Sequence, residues 1–457
     1  MEQPRDTNRR MDKNISRRSF GKRAVVGIAG LAAAPMFLPQ AAKGANDTIG
    51  IGIIGAGVRA PQLVGDISRG GRIVAVCDVD LGRARNLAER VNADDVYQDY
   101  RKLLERRDID AVVIATPAHW HALQCIHAAQ AGKDIYCEKP LAHSIVEGRR
   151  MVEAVRKYDR VCQVGVQGRM HHSTFIGVHN VHAGSLGKIT RVHGRNHSSP
   201  MVPRFPAEDI PEDFRWDLWT GPAEKLPYNR AIRINRGNPS WVSLKPYSGS
   251  SLTDWGSHGL DLAQWGLDLD DGGPEEVWVE GEPYEEMYST PEDPGQRQGG
   301  PNQPIIKMKY PGDIELDLSG GGGVRAHEVQ FVGENGTINI SIDGFSANPS
   351  ELIVRPTDDE DEQVYRGFGY ARSHGIVEDW FNCIKDRSRP AADIEAGQRT
   401  TTVCHLGNIA RWVSGVTGET GKRLKWDAEN ERFTNSPEAN QFLLSRYYNG
   451  YELPDKV

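Results

Sequence analysis

Past its N-terminal segment, this 457-residue chain has no apolar run long enough to cross a bilayer. It also lacks an excess of positive charge. Lys and Arg number 55 against 62 Asp and Glu, and a net charge of -7 leaves no electrostatic footprint for nucleic acid. Cysteine is scarce at six, with no C-x-x-C pair and no His/Cys cluster at zinc-ligand spacing. A disulfide scaffold is therefore not expected, and no metal is assigned. Cys77, Cys125, Cys137, Cys162, Cys383 and Cys404 fall in apolar or helix-like stretches and read as buried free thiols. There is no internal repeat. What is present, 38% hydrophobic and 26% charged residues, is the composition of a globular protein long enough for two domains.

Residues 1–46 read as a targeting segment. Ser16-Arg17-Arg18-Ser19-Phe20-Gly21-Lys22 is a twin-arginine sequence, followed by a weakly apolar stretch from Ala24 to Phe37 and small residues from Ala41 to Ala45. Charged region, apolar region and small-residue cleavage zone are the parts of an export signal. The expectation is delivery of a folded protein to the periplasm or the exterior by the twin-arginine translocation machinery. No Cys lies near the cleavage zone, so no stable membrane anchor is expected. Folding in the reducing cytoplasm before export suits six unpaired thiols.

From Thr48 short apolar strands alternate with helical patterns. Ile49–Ile54, Ile73–Cys77, Ala111–Ala115, Asp134–Cys137 and Val161–Val164 read as strands; Leu81–Arg90, His121–Ala131 and Ile145–Tyr158 read as helices. That alternation predicts βαβ units and a parallel sheet over residues 47–170. Residues 171–457 differ. Lys188–Arg195, Glu275–Glu282, Ile305–Tyr310, Ile314–Leu318, Glu328–Val332 and Thr337–Ile342 read as strands, several joined by short turns. The second domain is therefore expected to be α+β, with a large, mostly antiparallel open sheet and the helices His374–Lys385 and Thr400–Val413. Pro283–Pro304 and Asp358–Glu362 read as surface excursions.

Gly55-Ala56-Gly57-Val58-Arg59-Ala60 follows the first strand and fits the dinucleotide fingerprint G-x-G-x-x-A. Gly55 permits the tight turn, Gly57 lets backbone approach a pyrophosphate, and Val58 and Arg59 lead into a helix whose free N–H groups face the phosphates. Asp78 ends the second strand, where a carboxylate bonds the adenosine ribose hydroxyls and repels a 2′-phosphate. NAD is favoured over NADP.

Two further segments end strands on the ligand-binding side of such a sheet: Ala115-Thr116-Pro117-Ala118-His119-Trp120-His121 and Cys137-Glu138-Lys139-Pro140. With these the chain resembles the glucose–fructose oxidoreductase/inositol dehydrogenase (Gfo/Idh/MocA) family, over nearly everything from Thr48 onward. The resemblance includes Trp216-Asp217-Leu218-Trp219-Thr220-Gly221-Pro222 and Cys404-His405-Leu406-Gly407-Asn408-Ile409-Ala410. It implies a lysine at Lys139 aimed at the nicotinamide through a cis bond to Pro140. It also implies a D-x-x-x-H pair at Asp254 and His258, and a homo-oligomer. The chemistry agrees with these assignments. Oxidising a secondary alcohol needs a base for the hydroxyl proton, and a histidine with a pKa near neutrality suits that task. Lys139 would stabilise a developing alkoxide, and Asp254 would orient His258 and bond a substrate hydroxyl. Thr116, Pro117, His119, His121, Glu138 and Gln167 are expected along the cofactor. Arg169, Tyr228, Arg230 and Trp241 are expected at the substrate, and Trp216 in the core.

The resemblance implies an NAD(P)-dependent oxidoreductase acting on a sugar, polyol or glycoside secondary alcohol, with the cofactor tightly held because free NAD is scarce outside the cytoplasmic membrane. Two alternatives stand beside it. One is a redox-neutral NAD-dependent glycosidase or 3-keto-glycoside enzyme; that branch of the family carries a Tyr near the catalytic segment where this chain has Asp254. The other is a non-catalytic sugar-binding protein.

Overall fold

The computed structural model describes residues 48–234, 240–293, 303–354 and 375–457. The expected export signal, the excursion at 358–362 and His374 lie outside the described residues.

β1 (Ile49–Ile54), β2 (Gly71–Cys77), β3 (Asp95–Tyr97), β4 (Ala111–Ile114), β5 (Asp134–Cys137) and β6 (Cys162–Val164) pair in parallel in the order β3-β2-β1-β4-β5-β6. The central strands are apolar runs without alternation, such as Ala111-Val112-Val113-Ile114, and are buried throughout because helices cover both faces of such a sheet. The turn after β1 needs Gly55. Its φ is +96°, and a Cβ there would stand 2.8 Å from the Ala115 backbone. α1 (Ala60–Gly70) follows with Pro61 in its first turn, and α2 (Leu81–Val91) is capped by Asp80, whose side chain accepts from Arg83 N.

The second sheet has nine strands. β7 (Ile189–His193), β9 (Glu276–Glu280), β11 (Ile305–Tyr310), β12 (Ile314–Asp317), β13 (Glu328–Gly333), β14 (Gly336–Ser341), β15 (Gly344–Asn348), β16 (Leu424–Asp427) and β17 (Arg432–Phe433) run in the order β15-β14-β13-β7-β12-β11-β9-β16-β17. All neighbours are antiparallel except β7 and β12. In β11, buried Ile306, Met308 and Tyr310 alternate with Lys307 and Lys309, so one face carries the core. That face meets the helices His172–His182, Gly256–Gly266 and Ile394–Thr417. β8 (Val202–Pro203) and β10 (Tyr288–Ser289) form a separate parallel pair. The sequence expectation for fold class holds in both sheets.

Between β8 and the helix Ser250–Asp254 lies a segment with its own small core of Phe214, Trp216, Trp219, Tyr228, Ile232, Leu244 and Tyr247. It docks on the turn after β2 by main-chain bonds: Leu81 N donates to Asp213 O at 3.0 Å and Arg215 N to Val79 O at 3.1 Å, around a bridge between Asp80 and Phe214.

Candidate active site

The carboxyl ends of β1, β2 and β4 open onto a cleft enclosing about 810 Å³, part of it open to solvent. Gly55, Gly57, Asp78, Thr116 and Pro117, all expected along the cofactor, line it. A side chain on Gly57 would meet no atom within 4 Å, so the position faces space that backbone alone leaves free for a ligand. Asp78 is held by the loop it serves: Oδ2 accepts from Ala56 N at 2.7 Å and Oδ1 from Asp80 N at 2.8 Å. Burial pushes its carboxyl up, and those two N–H donors oppose the shift. Glycine turn, uncapped helix start and carboxylate at the second strand fit the phosphates and ribose of a dinucleotide. Val58 is 39% exposed beside this turn.

The opposite wall comes from the docked segment through Phe214, Leu218, Trp219, Arg233 and Trp241. Trp241, expected at the substrate, lines this same cleft. Arg233 bonds Asp80 at 2.9 Å and lies over the Phe214 ring at 4.8 Å. No local sequence signal gives this wall, because it arises from residues more than a hundred positions from the glycine turn. Arg83 also lines the cleft, one helical turn after its capping partner Asp80.

At the end of β5 the Lys139–Pro140 bond is cis, and Lys139 Nζ lies 2.5 Å from Asp254 Oδ1 and 3.2 Å from Asp254 O. The two side chains are 18% and 17% exposed, so the pair still reaches solvent. His258 starts the helix Gly256–Gly266, four residues after Asp254. Its Nδ1 is buried without a hydrogen-bond partner. Asp254, expected to orient His258, is thus bonded to Lys139. Burial, reinforced by the Lys139 charge, pushes the His258 imidazole down to about 3, not the near-neutral value expected from sequence. A neutral imidazole, a lysine cation and a carboxylate lie close together here.

Glu138 anchors the floor beneath them. Its Oε1 accepts from Arg59 Nε at 2.7 Å, Gln167 Nε2 at 3.4 Å and Tyr136 Oη at 3.5 Å, tying the glycine loop to β5. Arg59, Glu138 and Gln167, expected along the cofactor, are joined in one network. Sequence reading passed over Trp255, inside the D-x-x-x-H motif, and His327. Their rings lie 6.2 Å apart, and His327 bonds Asp343 at 2.8 Å. His327 is also near enough to disfavour protonation of His258.

Other expected positions have different surroundings. His119 and His121 are buried off the cleft wall. His119 Nε2 faces Trp219 O at 2.9 Å, and the His121 ring nitrogens face Pro140 O and Thr116 O at 2.9 Å each. Arg169, expected at the substrate, is fully buried against Asp261 at 2.9 Å and Asp270 at 2.7 Å. This network joins the end of β6 to the second domain and leaves the guanidinium wholly buried. Tyr228 packs with Trp216 and Phe214 in the small aromatic core, as apolar burial dictates, and so does Trp216, as expected. Arg230 is 81% exposed, with its nearest carboxylate, Glu208, 4.0 Å away. Among the described residues no group of three His, Cys, Asp or Glu side chains could hold a metal. The six cysteines are buried and unpaired.

Residues 49–166 match the model of the Gfo/Idh/MocA oxidoreductase family's NAD-binding Rossmann fold, and residues 199–289 match that of the family's C-terminal alpha/beta domain. Inositol 2-dehydrogenase of Salmonella typhimurium (strain LT2) is 33% identical over 161 residues, 34% of this chain and 47% of that protein. The scyllo-inositol 2-dehydrogenase (NAD(+)) of Bacillus subtilis (strain 168) is 34% identical over 214 residues, 47% of this chain and 56% of that protein. The chain thus spans about half the length of the relatives it matches. The WlbA dehydrogenase from Bordetella pertussis, solved with NADH and UDP-GlcNAcA, shares the fold. Its TM-score is 0.57 at 18% identity, covering 84% of this chain and 99% of that one. The N-terminal sheet with its glycine turn is an NAD-binding Rossmann domain.

Proposed function

We propose, from the match of two segments to models of the Gfo/Idh/MocA oxidoreductases, that this chain oxidises a secondary alcohol of a sugar, polyol or glycoside. NAD, when bound in the cleft, supplies the hydride acceptor. The observation that carries the reading is the Lys139–Asp254 ion pair at the end of β5, with His258 close enough to feel both charges. His258 removes the hydroxyl proton, because a neutral imidazole keeps one ring nitrogen lone pair to accept it. Lys139 places its cation against the oxygen as negative charge develops there. Asp254 holds the Lys139 ammonium in position and accepts from a neighbouring substrate hydroxyl. Denaturing the purified protein and identifying the released nucleotide and its redox state is the first test. A sugar panel read by cofactor fluorescence is the second. Protein that carries no nucleotide, binds none and responds to no sugar would end this reading.

NAD preference rests on Asp78. Asp78→Ala is expected to weaken NAD about 10- to 100-fold, the equivalent of one or two charge-assisted hydrogen bonds. It should also narrow the gap to NADP by removing a repulsive charge. Dissociation constants on apo-protein measure both effects, and NADP binding as tightly as NAD to the unaltered protein refutes the preference.

The Arg17-Arg18 signal supports export of the folded, cofactor-loaded protein. Arg17→Lys with Arg18→Lys should leave the protein in the cytoplasm with its activity intact. Unchanged export would show that another route carries it, and that the cofactor need not travel inside the fold.

A further inference from the structure

A second cavity of about 1370 Å³, partly open to solvent, lies among the N-terminal ends of α4 (Ala118–Gln130 in chain order) and the helix Ile145–Lys157, the stretches 222–224 and 245–249, and the tail 441–448. Neither Lys139, Asp254 nor His258 lines it, and the proposed reaction does not use it. Three histidines border it, each with Nε2 against a main-chain carbonyl: His119 at Trp219 O, His143 at Lys245 O and His405 at Ala142 O, at 2.9, 3.1 and 3.1 Å. A carbonyl can only accept, so each Nε2 carries the ring proton and each Nδ1 keeps a lone pair. Burial depresses all three, to about 4, 3 and 4 in that order, so they stay neutral at physiological pH.

Glu147 adds a carboxyl. Its Oε1 accepts from Tyr447 Oη at 2.8 Å, while Oε2 is buried without a partner, as is Nδ1 of His119. Buried polar atoms are normally satisfied, and these two beside one cavity, a histidine nitrogen and a carboxyl that burial pushes up to about 7, call for an occupant whose hydroxyls both donate and accept. Trp412 and Phe442, with ring centroids 5.5 Å apart, supply an aromatic wall. Lys245, whose ammonium lies 5.6 Å from the Trp412 ring, is paired with Glu286 at 2.8 Å, so this wall adds little net charge for an ionic ligand. Hydroxyl donors on a ring with flat C–H faces match both the acceptors and the aromatics.

We propose that this cavity is a binding site for a neutral cyclic polyol, such as a pyranose sugar, separate from the Lys139–Asp254–His258 site. The inference goes beyond the proposed reaction and is read by binding, so neither stands or falls with the other. The test is saturation-transfer NMR, with calorimetry for affinities, on the NAD-loaded protein. The probes are D-glucose, D-galactose, N-acetyl-D-glucosamine and myo-inositol. At least one should bind in a Lys139→Ala, His258→Ala double variant, and that binding should weaken about tenfold or more in Glu147→Gln and in Trp412→Leu. Glu147→Gln keeps an acceptor for Tyr447 and nearly the same volume; Phe442→Leu replaces Trp412→Leu if the latter does not fold. Binding abolished by the double variant would assign every sugar contact to the catalytic site and overturn the proposal. Binding unchanged in the cavity variants, or no binding of any probe, would overturn it as well.

Discussion

His258→Ala is expected to lower turnover by about 10²–10⁴-fold, the usual contribution of a positioned general base. The pH behaviour follows from burial. Removing water from the imidazole and setting the Lys139 cation beside it disfavours the protonated ring, which titrates at about 3 against its ordinary 6.5. The neutral, proton-accepting form is therefore complete through the neutral range, and activity dependent on it is lost only as pH falls towards 3. Turnover of the unaltered protein should show no His258 inflection from about pH 5 to 8. The alanine variant should rise with hydroxide or added imidazole while NAD affinity stays unchanged. An inflection near 6.5 that disappears in His258→Ala would mean that the ring titrates at its ordinary value in the working complex.

Lys139→Ala should cost about 10²–10³-fold in turnover, as loss of a group opposing oxyanion charge does. It also removes the cation from beside His258, so the imidazole should titrate closer to its ordinary value. Asp254, without its 2.5 Å partner, would bring more negative charge to the site. The readout is a split between kcat and KM with a pH profile. A large loss in kcat, with the base inflection moved upward, supports the assignment. A loss confined to KM would make Lys139 a substrate-holding residue. Lys139→Arg keeps the charge but not its compact placement, and should recover only part of the rate.

The parallel sheet was legible because its strands are buried on both faces. Runs such as Ile51–Ile54 and Ala111–Ile114 advertise burial, the glycine turn and Asp78 follow a fixed spacing, and Lys139 and His258 follow from the resemblance. β3 and β15 were missed for the opposite reason. Asp95-Val96-Tyr97 is three residues long and half polar, and Gly344-Phe345-Ser346-Ala347-Asn348 lacks the β-branched residues that mark a strand. Substrate-facing residues were harder to read. Tyr228, Trp241 and Arg169 are residue types that contact sugars, but those types also build aromatic cores, line nucleotide clefts and clamp buried carboxylates. Only tertiary partners separate these uses. Asp270 and Asp261 for Arg169, and Phe214 and Trp216 for Tyr228, are distant in sequence and carry no local mark. The same holds for the low titration of His258, which depends on what surrounds the ring.

The docked aromatic segment gives the cofactor cleft walls from both halves of the chain. A nucleotide lodged between Gly57 and Trp219 is thus a tie across a seam, and separating the halves would dissolve its site. By linkage, every tenfold excess of NAD over its dissociation constant adds about 1.4 kcal/mol to the resistance of that seam to opening. The melting temperature should climb with NAD concentration. Residues 48–170 alone, deprived of Phe214, Trp219 and Trp241, should hold the nucleotide far more loosely. The molecule would then be sturdiest when loaded, and a shortage of cofactor would weaken its architecture as well as halt its chemistry.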